Sequence, residues 1–128
     1  MDRKRILLID DEKEFCQLVK THLELAGGLE VFTATSGKDG LEAARHFKPD
    51  LVLLDIIMPG GMDGFEVLKT LKKDAKTMSI PVVMLTVMQD DASKIEATQL
   101  YDEDYITKPV KLKDLKTKVE KVLGRFVD

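Results

Sequence analysis

The chain has 128 residues, 44% of them hydrophobic and 34% charged, which predicts one soluble domain over residues 1–128 with a single hydrophobic core. Its net charge of -3 excludes a general electrostatic attraction to nucleic acid or to anionic lipid. The hydrophobic run after the basic start stops at Asp10, too early for a signal peptide or a membrane span. We therefore expect a cytoplasmic protein without direct contact to nucleic acid or membrane.

Five short hydrophobic runs along the chain predict five β-strands. Four of them lack an alternation of apolar and polar residues, as is typical of parallel strands that are covered on both faces. The predicted strands are residues 6–9, 30–35, 51–54, 81–85 and 104–107.

Between and after these strands, apolar residues recur at helical spacing and predict five helices. The fourth of them, over residues 92–101, has the weakest apolar stripe. Regular alternation of strand and helix favours an α/β fold, a doubly wound parallel sheet with helices on both faces. In such folds ligands bind beyond the carboxyl ends of the strands, so we expect the chemistry at that edge.

Three carboxylates are predicted to meet at this edge. Asp10 and Asp11 directly follow the first strand, and Asp55 directly follows the third. Because like charges at close range destabilise one another, we expect a divalent cation among them, and oxygen-only ligands suit magnesium or manganese. Taken singly, each acid has a structural alternative: Asp10 could cap the first helix, and Asp55 could simply end its strand.

Two further polar residues are predicted at the same edge. Thr86 ends the fourth strand, and Lys108 lies just past the fifth. A carboxylate nucleophile, a metal, a cation and a hydroxyl together provide what phosphoryl transfer to a carboxylate requires. The pattern favours an aspartate that accepts a phosphoryl group.

The sequence around these positions resembles response-regulator receiver domains. The matching strings are residues 9–12 (IDDE), residues 53–59 (LLDIIMP), Thr86 and residues 105–109 (YITKP), in the family's order. The resemblance implies a flavodoxin-like five-stranded parallel sheet of order 2-1-3-4-5 with five helices. It also implies a phosphoacceptor domain of a two-component phosphorelay rather than an enzyme. A sensor histidine kinase or a histidine phosphotransfer protein would supply the phosphoryl group.

Carried over position by position, the resemblance makes Asp55 the phosphoacceptor and one of the ligands of a Mg²⁺ ion, for which Mn²⁺ could substitute. The other ligands would be Asp10, Asp11 and the backbone carbonyl of Ile57.

The resemblance also assigns roles around the phosphoryl group. Lys108 and Thr86 would stabilise it, and Thr86 and Tyr105 would form a coupled switch pair. Pro109 would follow a cis peptide bond. The surface formed by the fourth helix, fifth strand and fifth helix would then bind a downstream protein, an output domain or a second copy of the chain.

Three features depart from the family's usual pattern. Residues 60–63 make the loop after the third strand one residue longer, and Val87 stands where a small residue is usual. Residues 101–102 are Tyr-Asp, where Gly-Ala is common. We also expect apolar Ile57 and Met88 to exclude water and prolong the phosphorylated state.

Two other functions agree with part of the pattern. Phosphohydrolases that resemble haloacid dehalogenases also phosphorylate an aspartate at a strand end, but they carry a second Asp two positions later, where this chain has Ile57. A degenerate receiver that only binds protein partners would have no need for Thr86 and Lys108 beside the acids. Both alternatives are therefore less favoured than a working phosphoacceptor.

Overall fold

The computed structural model describes residues 3–25, 27–58, 60, 62–86 and 104–124. These residues form nine elements, in which the labels number only the described strands and helices. They are β1 (Lys4–Ile9), α1 (Lys13–Leu25), β2 (Leu29–Ala34), α2 (Gly37–Phe47), β3 (Leu51–Asp55), α3 (Gly64–Lys73), β4 (Val82–Thr86), β5 (Asp104–Thr107) and α4 (Leu112–Val122).

The five strands form one parallel sheet in the order β2-β1-β3-β4-β5. This confirms the predicted α/β class, the parallel sheet and the strand order. Of the five predicted helices, four lie within the described part of the chain. The predicted helix over residues 92–101 falls outside it, so its existence stays a prediction.

The central strands β3 and β4 and most of β1 are buried on both faces of the sheet, which explains why they lack alternation. The two faces carry separate hydrophobic clusters, one packed against α2 and α3 and the other against α1 and α4. The first cluster includes Leu7, Ile9, Val52, Leu54, Val82 and Met84 from the strands. The second includes Ile6, Leu8, Leu51, Leu53, Val83 and Leu85.

Strand register brings the polar residues to one level. Ile9 pairs with Leu54, so the next residues along the two chains, Asp10 and Asp55, lie side by side. Asp55 and Thr86 lie inside β3 and β4 rather than after them, because the ladder continues through their pairs with Leu85 and Thr107. The predicted ends of these two strands were therefore one residue short.

Local signals place the helices as the sequence predicts. Ser36 caps α2 by accepting a hydrogen bond from the backbone N–H of Asp39 at 3.1 Å. Gly27 and Gly28 follow α1 with positive φ angles of 82° and 78°, which glycine adopts without strain. Within the described ranges, no helix has the length and apolarity needed to cross a membrane.

Candidate functional site

Three carboxylates meet at the carboxyl edge of the sheet, as the strand register requires. One oxygen from each of Asp10, Asp11 and Asp55 lies within 4.8 Å of the other two. Asp10 is completely buried and Asp55 is 5% exposed. Burial of two carboxylates so close together is costly unless a cation compensates their charge.

Lys108 reaches into this cluster from the segment after β5, and its side chain is only 11% exposed. Its Nζ donates a hydrogen bond to Oδ2 of Asp10 at 2.9 Å and lies 3.6 Å from Oδ1 of Asp55. Burial opposes the charged form of the amine, but the hydrogen bond to Asp10 and the surrounding carboxylates outweigh it, so the pKa of Lys108 is raised. The lysine is thus held in the site as a cation.

Two neighbours of Lys108 were not identified as site residues from the sequence. Oε1 of Glu12 lies 3.5 Å from the ammonium, and the centre of the Phe15 ring lies 4.9 Å from it. Glu12 directly precedes α1, and Phe15 is the third residue of that helix. The apolar stripe of α1 accounts for Phe15 on its own, so the sequence carried no separate signal for its contact with Lys108.

Asp10 holds the turn that precedes α1 and also belongs to the acidic cluster. Its Oδ1 accepts the backbone N–H of Glu12 at 2.9 Å, just before α1 begins. Its Oδ2 accepts the Lys108 ammonium, and the thiol of Cys16 donates to its backbone carbonyl at 3.3 Å. Asp10 is therefore fixed from both the helix side and the lysine side.

Asp55 is held more loosely. Its Oδ1 accepts the backbone N–H of Ile57 at 3.3 Å, and the Lys108 ammonium stands 3.6 Å away. The pKa of the Asp55 carboxyl is raised to about 6, mainly by burial and then by the carboxylate of Asp10, and Lys108 offsets only part of the rise. Of the two buried acids, Asp55 is thus the one held by the longer contacts.

The donor set fits a hard divalent cation. Three carboxylates and one ammonium leave a formal charge of -2, which one such ion would neutralise. All the candidate ligand atoms are oxygens, the type that Mg²⁺ and Mn²⁺ prefer.

Thr86 and Tyr105 occupy neighbouring strands beside the cluster. Thr86 is fully buried at the end of β4, and the backbone N–H of Lys108 donates to its carbonyl at 2.6 Å. Thr86 pairs with Thr107, two residues after Tyr105, so the side chains of Thr86 and Tyr105 lie on the same face of the sheet. Tyr105 is 37% exposed, so it is not enclosed behind Thr86 in this structure.

The segment after Lys108 turns sharply, and the Lys108–Pro109 peptide bond is cis. At the end of β3, Gly64 lets α3 begin directly against the backbone of Asp55 and Ile56. A Cβ at Gly64 would collide with the Asp55 carbonyl and approach the Cα of Ile56 to 2.6 Å. The close approach also lets the Gly64 N–H donate to the Ile56 carbonyl at 2.8 Å.

The longer loop after β3 is used for packing. Gly60 has a φ of 92°, Met62 packs partly buried against the core, and Asp63 caps α3 by accepting the N–H of Glu66 at 3.0 Å. The other departures, Val87 and residues 101–102, lie outside the described residues, as does Met88.

Comparison with known proteins connects this geometry to a family. The family described as "Response regulator receiver domain" matches residues 6–120. Protein PilH of Pseudomonas aeruginosa is 39% identical over 120 residues, which are 94% of this chain and 98% of that protein. The alkaline phosphatase synthesis transcriptional regulatory protein PhoP of Bacillus subtilis is 35% identical over 122 residues, covering 95% of this chain and 49% of that protein. The chain spans about half the length of several curated relatives of this second kind.

Solved structures agree with the family match. A two-component response regulator from Clostridium difficile has a TM-score of 0.86 and 30% identity, with 96% of this chain and 98% of that chain covered. The N-terminal domain of a response regulator receiver protein from Methanoculleus marisnigri has a TM-score of 0.74 and 42% identity, with 95% and 98% covered. The match over residues 6–120 includes every member of the acidic cluster and Lys108. The chain therefore belongs to the response-regulator receiver domain family of two-component signalling proteins.

Proposed function

We propose that Asp55 is the phosphoacceptor and that a phosphohistidine of a sensor histidine kinase or phosphotransfer protein is the donor. A carboxylate oxygen of Asp55 attacks phosphorus, the phosphorus–nitrogen bond breaks, and the released imidazole takes up a proton. The observation that carries this proposal is the cluster at one sheet edge in which Lys108 meets the buried Asp10 and Asp55 and the more exposed Asp11.

The choice of Asp55 over Asp10 follows from how each is held. Both oxygens of Asp10 accept short hydrogen bonds, at 2.9 Å from the Glu12 N–H and 2.9 Å from the Lys108 ammonium. The contacts of Asp55 are longer, at 3.3 Å and 3.6 Å. An oxygen of Asp55 can therefore leave its contacts for phosphorus at lower cost.

Asp10, Asp11, Asp55 and the backbone carbonyl of Ile57 are the proposed ligands of Mg²⁺, with Mn²⁺ as a substitute. The formal charge of -2 and the oxygen-only donors support this assignment for the carboxylates. The carbonyl of Ile57 rests on the family resemblance. When bound, the ion would neutralise charge on the carboxylates and on the transferred phosphoryl group.

Lys108 and Thr86 are proposed to stabilise the phosphoryl group through charge and a hydroxyl hydrogen bond. Thr86 and Tyr105 would then change position together. Their shared sheet face and the exposed edge strand that carries Tyr105 support this pairing. The signal would pass to a downstream protein, to an output domain or to a second copy through β5 and the helices beside it.

The chain is proposed to act as a single receiver domain over residues 1–128, with the family match to residues 6–120 in support. Its activity would be limited to assisting the phosphorylation and dephosphorylation of its own aspartate, and signalling would occur through binding.

The test uses acetyl phosphate as a small donor, Mg²⁺ and intact mass spectrometry. We expect the parent protein to gain one phosphoryl group and Asp55→Asn to gain none. Asp114→Asn is the matched control, because Asp114 is exposed on α4 away from the cluster, and it should behave as the parent. Phosphorylation of Asp55→Asn at the parental rate would refute the assignment, and an inert parent would favour a receiver that only binds partners.

A further inference from the structure

Within the described part of the chain, the Lys108 ammonium contacts the Phe15 ring as well as three carboxylates. Asp10, Glu12 and Asp55 approach it at 2.9, 3.5 and 3.6 Å, and the Phe15 ring centre lies 4.9 Å away. A cation at this distance from a ring centre is attracted by the negative charge density of the ring face. The attraction is strongest where water is excluded, as it is around this side chain, which is 11% exposed.

The carboxylates pull the ammonium in different directions. Asp10 and Asp55 draw it into the site, whereas the Glu12 side chain is 65% exposed and draws it towards water. A lysine side chain has four flexible carbon–carbon bonds and does not select between such partners by itself. The hydrogen bond to Asp10 holds the ammonium in the site, and the Phe15 ring is a further contact that can bias its position between the three carboxylates.

Phe15 supplies this further contact from a well-packed position. It sits in the first turn of α1, and its ring packs partly buried against the hydrophobic cluster beneath α1 and α4. Glu12 directly precedes α1, three residues before Phe15, and both side chains contact the Lys108 ammonium.

We propose that Phe15 is a positioning residue for Lys108: its ring keeps the ammonium beside Asp10 and Asp55, where it meets the phosphoryl group. This inference rests on the proposed function, since it concerns the cation that stabilises the phosphorylated aspartate. It gives the first turn of α1 a role in positioning the Lys108 ammonium, in addition to the roles proposed for the carboxylates.

The first test measures beryllofluoride affinity in Mg²⁺ by fluorine NMR. We expect Phe15→Leu, which keeps an apolar side chain but removes the ring, to bind beryllofluoride about fivefold more weakly than the parent. Phe15→Tyr keeps the ring and should restore the parental affinity. The affinity for Mg²⁺ alone should stay within about twofold in both variants, because the ring acts on the ammonium rather than on the carboxylates.

Val19→Ala is the control for general destabilisation, because Val19 is fully buried on the same helix and in the same cluster. It should lower the stability of the protein without weakening beryllofluoride binding. A second readout is the NMR shift of the Lys108 ε-methylene protons in metal-free protein, which the ring face should move upfield. That shift should vanish in Phe15→Leu and persist in Phe15→Tyr.

Parental affinity in Phe15→Leu would overturn the inference and leave the proposed function intact. An equal loss in Val19→Ala would overturn it too, because the effect would then be general destabilisation. If the parent itself bound no beryllofluoride, the proposed function would fail first, and the methylene shift would still report whether the ring contacts the ammonium.

Discussion

Replacing Asp55 by asparagine should make the metal-free protein more stable at neutral pH. The pKa of the Asp55 carboxyl rises from 3.8 to about 6 on folding, mainly because the group is buried and also because Asp10 is close. Between these two values the folded protein keeps a proton that the unfolded chain has already lost. Stability therefore falls as pH rises from about 4 to about 6 and stays at the lower level above that.

The size of the effect follows from the shift. One pKa unit corresponds to about 1.4 kcal/mol, so a rise from 3.8 to about 6 predicts a penalty of about 3 kcal/mol for the ionised carboxylate at pH 7.5. Asp55 is 5% exposed, so water screens little of this. Asparagine removes the charge and retains an oxygen for the Ile57 N–H, and the variant should gain a large part of that amount.

Urea unfolding with a chelator present, from pH 4 to pH 8, measures the difference. The two proteins should have similar free energies of unfolding near pH 4, and the variant should lead by a constant margin above pH 6.5. Added Mg²⁺ should stabilise the parent more than the variant, because an ion that binds only the folded state raises the free energy of unfolding. Equal stabilities at pH 7.5, or a margin independent of pH, would refute the reasoning.

Three further changes test other contacts. Gly64→Ala should lower the free energy of unfolding by about 1–3 kcal/mol, because its Cβ would collide with the Asp55 carbonyl; an unchanged urea midpoint would contradict this. Glu24→Gln should destabilise the protein at neutral pH, and the difference should shrink below pH 4.5, because the Val31 N–H and then Lys20 lower the pKa of Glu24. A difference independent of pH would argue against that ionic contact. Lys48→Gly should raise the free energy of unfolding by about 0.5–1 kcal/mol in thermal unfolding, because Lys48 has a φ of 50°, a left-handed conformation that glycine adopts without strain. A loss of stability would contradict the view that Lys48 is strained.

The sheet and the location of the cluster were predictable from the sequence because both depend on patterns along the chain. Apolar runs without alternation identify covered parallel strands, and polar residues at the ends of such runs must meet at one edge. Register was not predictable in the same way. Asp55 and Thr86 belong to their strands because of pairs with Leu85 and Thr107, and hydrogen-bond partners leave no periodic mark in the sequence.

The surroundings of Lys108 were harder to predict for a different reason. Phe15 fits the apolar stripe of α1 and does pack against the core, so its spacing is fully explained without any contact to the lysine. Its contact with the Lys108 ammonium depends on the rotamer that the Lys108 side chain adopts after β5. The sequence pattern does not reveal that rotamer. A residue that serves the core and the site at once has no separate signature for the second role.

The strand pairing that creates the site also reduces the stability of the fold. The pairing of Ile9 with Leu54 sets Asp10 and Asp55 level and buried, and one ammonium cannot neutralise them together with Asp11. The buried carboxylates that we propose for phosphoryl transfer therefore lower the stability of the folded state at this edge. Asp55→Asn should raise stability and abolish phosphorylation, whereas Val19→Ala should lower stability and leave beryllofluoride binding intact. Variants that move the two properties independently distinguish residues that serve the chemistry from residues that serve the fold.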